Sequence, residues 1–245
     1  MVNDIYEQMW QQFTDAVSSN SYQCDPYLNG QPDTRRGITA LAYLADNSPD
    51  VAARIGQFLD HLSQHEPQQY YYPSDELHVT LLSVISCLQG FQLSDIDPQA
   101  YVDVFHRALR GLDPIQLELR GVTASPSCIV IQGYPVGNEL DILRQRLRDG
   151  LQASGLQTSI DARYKLITAH LTAMRFRQPL QNPQQLQALC AEYRHYPFGS
   201  VILNQCDLVF NNWYQTLAET HHLARYCLGG QPSYSRADYY SRQDD

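Results

Sequence analysis

No apolar run in this 245-residue sequence approaches the roughly 20 residues that a membrane-spanning helix needs. The opening stretch, MVNDIYEQMWQQF, lacks the basic start and apolar core of a secretory signal, so a soluble, cytoplasmic protein is the expectation. No two of the six cysteines stand at CxxC or other zinc-type spacing. Most lie in apolar segments such as VISCLQ, SPSCIVI and LQALCAEY, where a free thiol packs as a small hydrophobe. A Lys/Arg-rich tract is also missing, and the net charge is −9. Long polyanions are usually met by basic patches because phosphate neutralisation drives that binding, so no long nucleic-acid footprint is expected. The glycine-rich phosphate loops GxGxxG and GxxxxGKS/T and the nucleophile elbow GxSxG do not occur. Dinucleotide, P-loop and serine-hydrolase chemistries lose their usual sequence support.

Hydrophobic residues make up 43% of the chain and charged residues 18%, which suits a packed core rather than disorder. Residues 1–36 are polar and turn-rich, with a short helix expected over Ile5–Val17, and read as an extension packing on the domain edge. Ile38–Ala45 reads as a buried strand. Ser48-Pro49-Asp50 then opens a helix to about Ser63, with Ser48 offering a cap oxygen and Pro49 suited to the first turn. Leu77–Cys87 is a second strand, and Asp97-Pro98 starts a helix to about Leu109. Ile115–Ala124 and Cys128–Tyr134, separated by Ser-Pro-Ser, read as an antiparallel hairpin. Asn138–Ser154 is a helix whose Leu140, Leu143, Leu147 and Leu151 form a core stripe. A strand over Ala169–Phe176, a helix over Asn182–Tyr193 and strands over Val201–Phe210 and Thr216–Arg225 complete the pattern. Residues 37–228 form one domain of two similar halves, and 229–245 a polar tail. The fold class expected is α+β with a pseudo-duplicated, two-lobed layout.

Each half carries one His-x-Thr motif, His78-Val79-Thr80 and His170-Leu171-Thr172. Residues i and i+2 of a strand share a face, so each histidine stands beside its threonine, while Val79 and Leu171 point toward covering helices. Either tripeptide alone is a weak signal. Two copies, each in an expected strand of matching halves, describe a symmetric site. Two imidazoles supply a general base and a general acid for displacement at phosphorus. Two hydroxyls donate to the non-bridging oxygens. That arrangement calls for no metal and no other cofactor.

The pair ELHVTLLSVI and TAHLTAMRF resembles the motif pair of the 2H phosphoesterase superfamily, which includes bacterial 2′-5′ RNA ligase and cyclic phosphodiesterase proteins. The resemblance spans roughly Gly37–Tyr226. It implies a bilobal α+β fold with two antiparallel sheets facing a central cleft and helices outside. It also implies metal-independent hydrolysis of a 2′,3′-cyclic phosphate, or opening of a 2′-5′ linkage, in a small nucleotide or RNA end. His78 and His170 match the catalytic histidines, and Thr80 and Thr172 the phosphate-binding hydroxyls. Arg175 stands five positions after His170, where bacterial members often carry an arginine that meets the phosphate. Strict alternation would turn Arg175 to the opposite face, so it reaches the site only if the strand ends or bulges near Met174. Ser83 holds the equivalent offset in the first half. The N-terminal extension and Gln-rich loops depart from the family's usual pattern.

The cluster Tyr70-Tyr71-Tyr72 and the pair Trp213-Tyr214 suit either a cleft wall that stacks on a base or packing beneath a loop. The resemblance favours a cleft-edge place for Tyr214. His61 and His65 stand four apart on a helix without a third ligand and read as solvated surface. His221-His222 alternates in and out of a strand. Two rival functions share the site residues. A nucleotide-binding module would use the cleft without turnover, and a mutarotase-type sugar isomerase would use the paired histidines on a ring hemiacetal. Two proton-transfer groups beside two hydroxyls fit a reacting phosphate better than either.

Overall fold

The structure is a computed structural model describing residues 2–162, 165–229 and 234–235; apart from Tyr234 and Ser235, the expected tail beyond Gly229 lies outside the described residues. In chain order the elements are α1 (Val2–Ser18), β1 (Arg35–Tyr43), α2 (Leu44–Asn47), α3 (Pro49–His65), β2 (Tyr70–Tyr71), β3 (His78–Gln89), α4 (Pro98–Leu109), β4 (Ile115–Ser125), β5 (Cys128–Val136), α5 (Glu139–Ser154), β6 (Leu171–Arg175), α6 (Pro183–Glu192), β7 (Pro197–Leu203), β8 (Gln205–Asn212), β9 (His221–Cys227) and β10 (Tyr234–Ser235). They build two antiparallel sheets, ordered β10-β9-β8-β1-β3 and β2-β6-β5-β4-β7. The α+β class and bilobal architecture read from the sequence are observed. One motif strand lies in each sheet: β3 carries Thr80, and β6 carries Thr172.

Several elements follow directly from local chemistry. Asp97 caps α4, its carboxylate accepting from the Gln99 amide at 3.0 Å. Asn182 caps α6 in the same way through the Gln185 amide. The leucine stripe of α5 is fully buried. Other expectations need correction. The Ser48 side chain makes no capping bond to α3. The strand expected to run on to Ala45 stops at Tyr43, where α2 begins. Val201–Phe210 is not one strand. It is cut at Asn204, with β7 pairing to β4 in one sheet and β8 to β1 in the other. The Asn47 side chain makes that cut, its oxygen accepting from the amides of Asn204 (2.7 Å) and Gln205 (3.0 Å). The strand expected over Thr216–Arg225 starts only at His221, because residues 217–219 form a short 3-10 turn.

Helix α1 reaches the centre of the second sheet through Tyr6. Its buried hydroxyl donates to the Gly133 carbonyl (2.9 Å) and accepts from the Gly133 amide (3.2 Å). Glycine is required at 133, since a Cβ there would lie 2.0 Å from the Ala169 carbonyl oxygen. That close approach seats the segment leading into His170. Tyr6→Phe strands both polar groups of Gly133, and its expected cost is about 1–3 kcal/mol of folding stability. Urea unfolding of the variant measures it; a midpoint equal to wild type would show that water replaces the hydroxyl.

Candidate active site

The two motif strands share an irregularity. In β3 the register passes from Leu82 opposite Ala40 to Thr80 opposite Leu41, leaving Leu81 as an extra residue. In β6 it passes from Met174 opposite Ile129 to Thr172 opposite Val130, leaving Ala173 extra. Each strand therefore bulges at the residue after its threonine. A bulge resets side-chain alternation, so the residue five after each histidine returns to the motif face. In β6 that residue is Arg175, and this is the bulge its approach to the site demanded. In β3 it is Ser83. The bulges also explain why burial along β3 falls into a three-residue rhythm rather than strict alternation.

The histidine rings are anchored from positions two before each. The His78 Nδ1 lies 2.7 Å from the Glu76 carbonyl oxygen. A carbonyl only accepts, so Nδ1 carries the proton and Nε2 keeps a free lone pair. The His170 Nδ1 lies 2.7 Å from the Thr168 hydroxyl. A hydroxyl donates or accepts, so this ring is free to place its proton on either nitrogen. The two halves, matched in sequence, differ chemically at this point. Glu76 is itself fixed, its carboxylate accepting from the Leu217 amide (2.9 Å).

Arg175 is gripped by aromatic rings. Its Nε donates to the Tyr72 hydroxyl at 2.9 Å, and its guanidinium lies 5.7 Å from the rings of both Trp213 and Tyr214. Tyr72 is buried, with its ring 6.1 Å from that of His78. Tyr71 points elsewhere, donating to the Glu66 carbonyl. Tyr214 is buried, and its hydroxyl accepts from Arg35 at 3.3 Å. The Arg35 guanidinium also pairs with Asp33 and lies 4.1 Å from the Tyr27 ring. Residues 23–29, which bond to the Pro126, Phe176 and Arg177 carbonyls, thus meet the site from the N-terminal side. On the neighbouring strand Tyr43 stands opposite His78, their rings 6.4 Å apart, and its buried hydroxyl has no hydrogen-bond partner among the described residues.

Both histidines lose proton affinity. Burial drives His78 down to about 4, with a smaller contribution from Arg175, against the opposing bond to Glu76. Burial also drives His170 to about 4, joined by the positive charge of Arg144 and by His78 and Arg175. His78, His170 and Arg175 are therefore electrostatic neighbours. Because the folded values lie below the unfolded value near 6.5, the unfolded chain takes up protons first as pH falls. Stability is expected to drop between pH 6.5 and 4, by up to about 1.4 kcal/mol per pH unit for each histidine, and to level off below. Urea midpoints across that range, compared with the His78→Gln/His170→Gln double variant, test this; parallel slopes would refute it.

Sequence reasoning missed Thr168, Tyr43 and Arg144. The first stands two residues before its histidine, as Glu76 does before His78, but ahead of the strand expected from Ala169. The last was visible as a charge inside the leucine stripe of α5. Of the remaining histidines, His61 and His65 have rings 5.6 Å apart on α3. His222 leans toward Asp207 at 3.4 Å while His221 is exposed. Among the described residues, no three metal-ligating side chains converge and no helix is long and apolar enough to cross a membrane.

No protein-family model and no curated protein matches the chain. Solved structures do match. TT0787 of Thermus thermophilus aligns over 80% of this chain and 100% of its own, at 17% identity and a TM-score of 0.55. LigT of E. coli, solved with 3′-AMP, aligns over 79% of this chain and 98% of its own, at 16% identity and a TM-score of 0.52. A structure described as a phosphoesterase aligns over 79% and 98%, at 17% identity and a TM-score of 0.50. The chain shares their fold.

Proposed function

We propose that the chain is a phosphoesterase that opens a 2′,3′-cyclic phosphate or a 2′-5′ phosphodiester in a nucleotide or RNA end, using two histidines and no metal. The observation that carries this is the repeated unit: a histidine, a threonine on the same face and a bulge directly after it, present once in each sheet, with the charge of Arg175 felt at both imidazoles. The shared fold with a phosphoesterase and with LigT bound to 3′-AMP agrees with it.

In this reading the phosphate sits between the motifs. Thr80 and Thr172 donate to its non-bridging oxygens, and Arg175 adds charge-assisted bonds. For hydrolysis, the free Nε2 of His78 takes the proton of the attacking water. His170, surrounded by positive charge, gives its proton to the departing ribose oxygen, and the P–O bond of the ring breaks as the water oxygen bonds to phosphorus. Both imidazoles are largely neutral in the free protein. The negative charge of a bound phosphodiester raises their proton affinity and loads the acid when substrate arrives.

The test is hydrolysis of the four nucleoside 2′,3′-cyclic monophosphates in EDTA by wild type, His78→Ala and His170→Ala. Turnover abolished in both variants supports the reading and reveals the product isomer. Binding without turnover in wild type would favour a non-catalytic nucleotide-binding module.

A further inference from the structure

Arg144 lies on the buried stripe of α5 and is 1% exposed, the largest fully buried side chain described. Its hydrogen bonds run to backbone carbonyls. Nε donates to the Leu81 carbonyl at 2.8 Å, and Nη2 donates to the carbonyls of Thr80 (3.2 Å) and Thr168 (2.8 Å). Nη1 is buried with no partner among the described residues. Burial lowers its proton affinity to about 10, which leaves it charged at neutral pH. Placing a guanidinium in a leucine core carries a desolvation cost that its charge-assisted bonds offset only in part while Nη1 stays unpaired, and a methionine of similar volume would pack there without that penalty. Stability therefore does not explain the residue.

The three carbonyls it holds do. Thr80 carries the first-motif hydroxyl that the proposed function assigns to the phosphate, and Leu81 is the extra residue of its bulge. Thr168 precedes the second motif, and its hydroxyl anchors His170. We propose that Arg144 is a positioning residue that ties the two motifs together from behind, fixing Thr80 and the Thr168–His170 pair in one geometry. This rests on the phosphoesterase reading for its kinetic consequence. The same cation also biases His170 toward its neutral form, the second-largest cause after burial.

The experiment uses Arg144→Met, Arg144→Lys and Thr168→Val in the full chain, each checked for folding by near-UV circular dichroism. Two quantities are read: kcat and KM on the cyclic phosphates, and the NMR titration of His170, assigned by comparison with His170→Gln. In Arg144→Met, kcat is expected to fall about 100-fold, the scale of a 1 Å misplacement, with KM little changed. The His170 midpoint is expected to rise because the neighbouring charge is gone. In Arg144→Lys the charge stays and the planar fork is lost, so kcat falls while the midpoint holds. Thr168→Val, which leaves Arg144 and its carbonyl bonds in place, lowers kcat through the His170 anchor alone.

Wild-type kcat per folded molecule in both Arg144 variants, or an unmoved His170 midpoint in Arg144→Met, overturns the proposal. If Arg144→Met does not fold, Arg144→Lys decides: full kcat overturns, reduced kcat with an unchanged midpoint supports. If wild type turns over none of the cyclic phosphates, the phosphoesterase reading fails separately. The His170 titration, repeated with inorganic phosphate as probe, then still tests the Arg144 tie, which predicts a smaller phosphate-induced shift in Arg144→Lys than in wild type.

Discussion

His78→Gln and His170→Gln are each expected to lose about 10²- to 10⁴-fold in turnover of a nucleoside 2′,3′-cyclic phosphate, and the double variant little more than the worse single. Groups that act as one unit are non-additive when removed, and neither imidazole completes a proton transfer cycle without the other. The two kinetic constants should differ in pH dependence. The quantity kcat/KM reports the free protein, and both imidazoles there sit near 4. Its optimum is therefore expected on the acid side of 6.5, falling at higher pH as the acid form is lost. By contrast, kcat reports the complex, where the bound anion raises both groups, so its basic limb should lie at higher pH. Steady-state rates from pH 4 to 9 give both profiles. A kcat/KM optimum above 7 would sink the picture of two histidines held neutral by burial.

Arg175→Ala is the second large effect, an expected loss of about 10²- to 10³-fold in kcat, the scale for removing one donor to a developing anion. Arg175→Lys should restore little. The Nε bond to Tyr72 and the seat among three aromatic rings suit a planar fork, and a compact ammonium on a flexible stem cannot hold the tyrosine, the ring faces and a phosphate at once. Tyr72→Phe isolates the grip from the charge: the guanidinium stays but loses its anchor, and a smaller loss is expected. Near-wild-type kcat in Arg175→Ala would show that the arginine only packs against Trp213 and Tyr214.

The sequence pattern made the motif strands, the hairpin and the capped helices legible because each rests on nearby residues: Asp97 on Gln99, Asn182 on Gln185, leucines on one helical face. What it concealed depends on distant partners. Whether β6 bulges is decided by its pairing with β5, so the side on which Arg175 emerges could only be posed as a condition. The stretch from Val201 to Phe210 reads as one strand, yet the side chain of Asn47, far away in sequence, divides it between sheets. Ser48 looks like a cap by composition, but its backbone geometry keeps the hydroxyl from bonding. The anchors of the histidines were hidden in two ways. Thr168 acts through a side chain but stands just ahead of the strand expected from Ala169, while Glu76 acts on His78 through its backbone carbonyl, which composition does not reveal.

The order of pairing has a kinetic consequence. Strand β2 lies between β1 and β3 in sequence but pairs with β6 in the opposite sheet, while β7 and β8 are adjacent in sequence and divided between sheets. Neither sheet can be completed by one continuous stretch of chain, and a cut in the Ser125–Cys128 turn would leave each fragment with strands from both. Closing such distant pairs requires loop-closure entropy to be overcome before contacts form, which places refolding on roughly the millisecond-to-second scale. During synthesis, β1 must wait for β8 and β4 for β7, strands that emerge only near the end, so neither sheet is complete until almost the whole chain has been made.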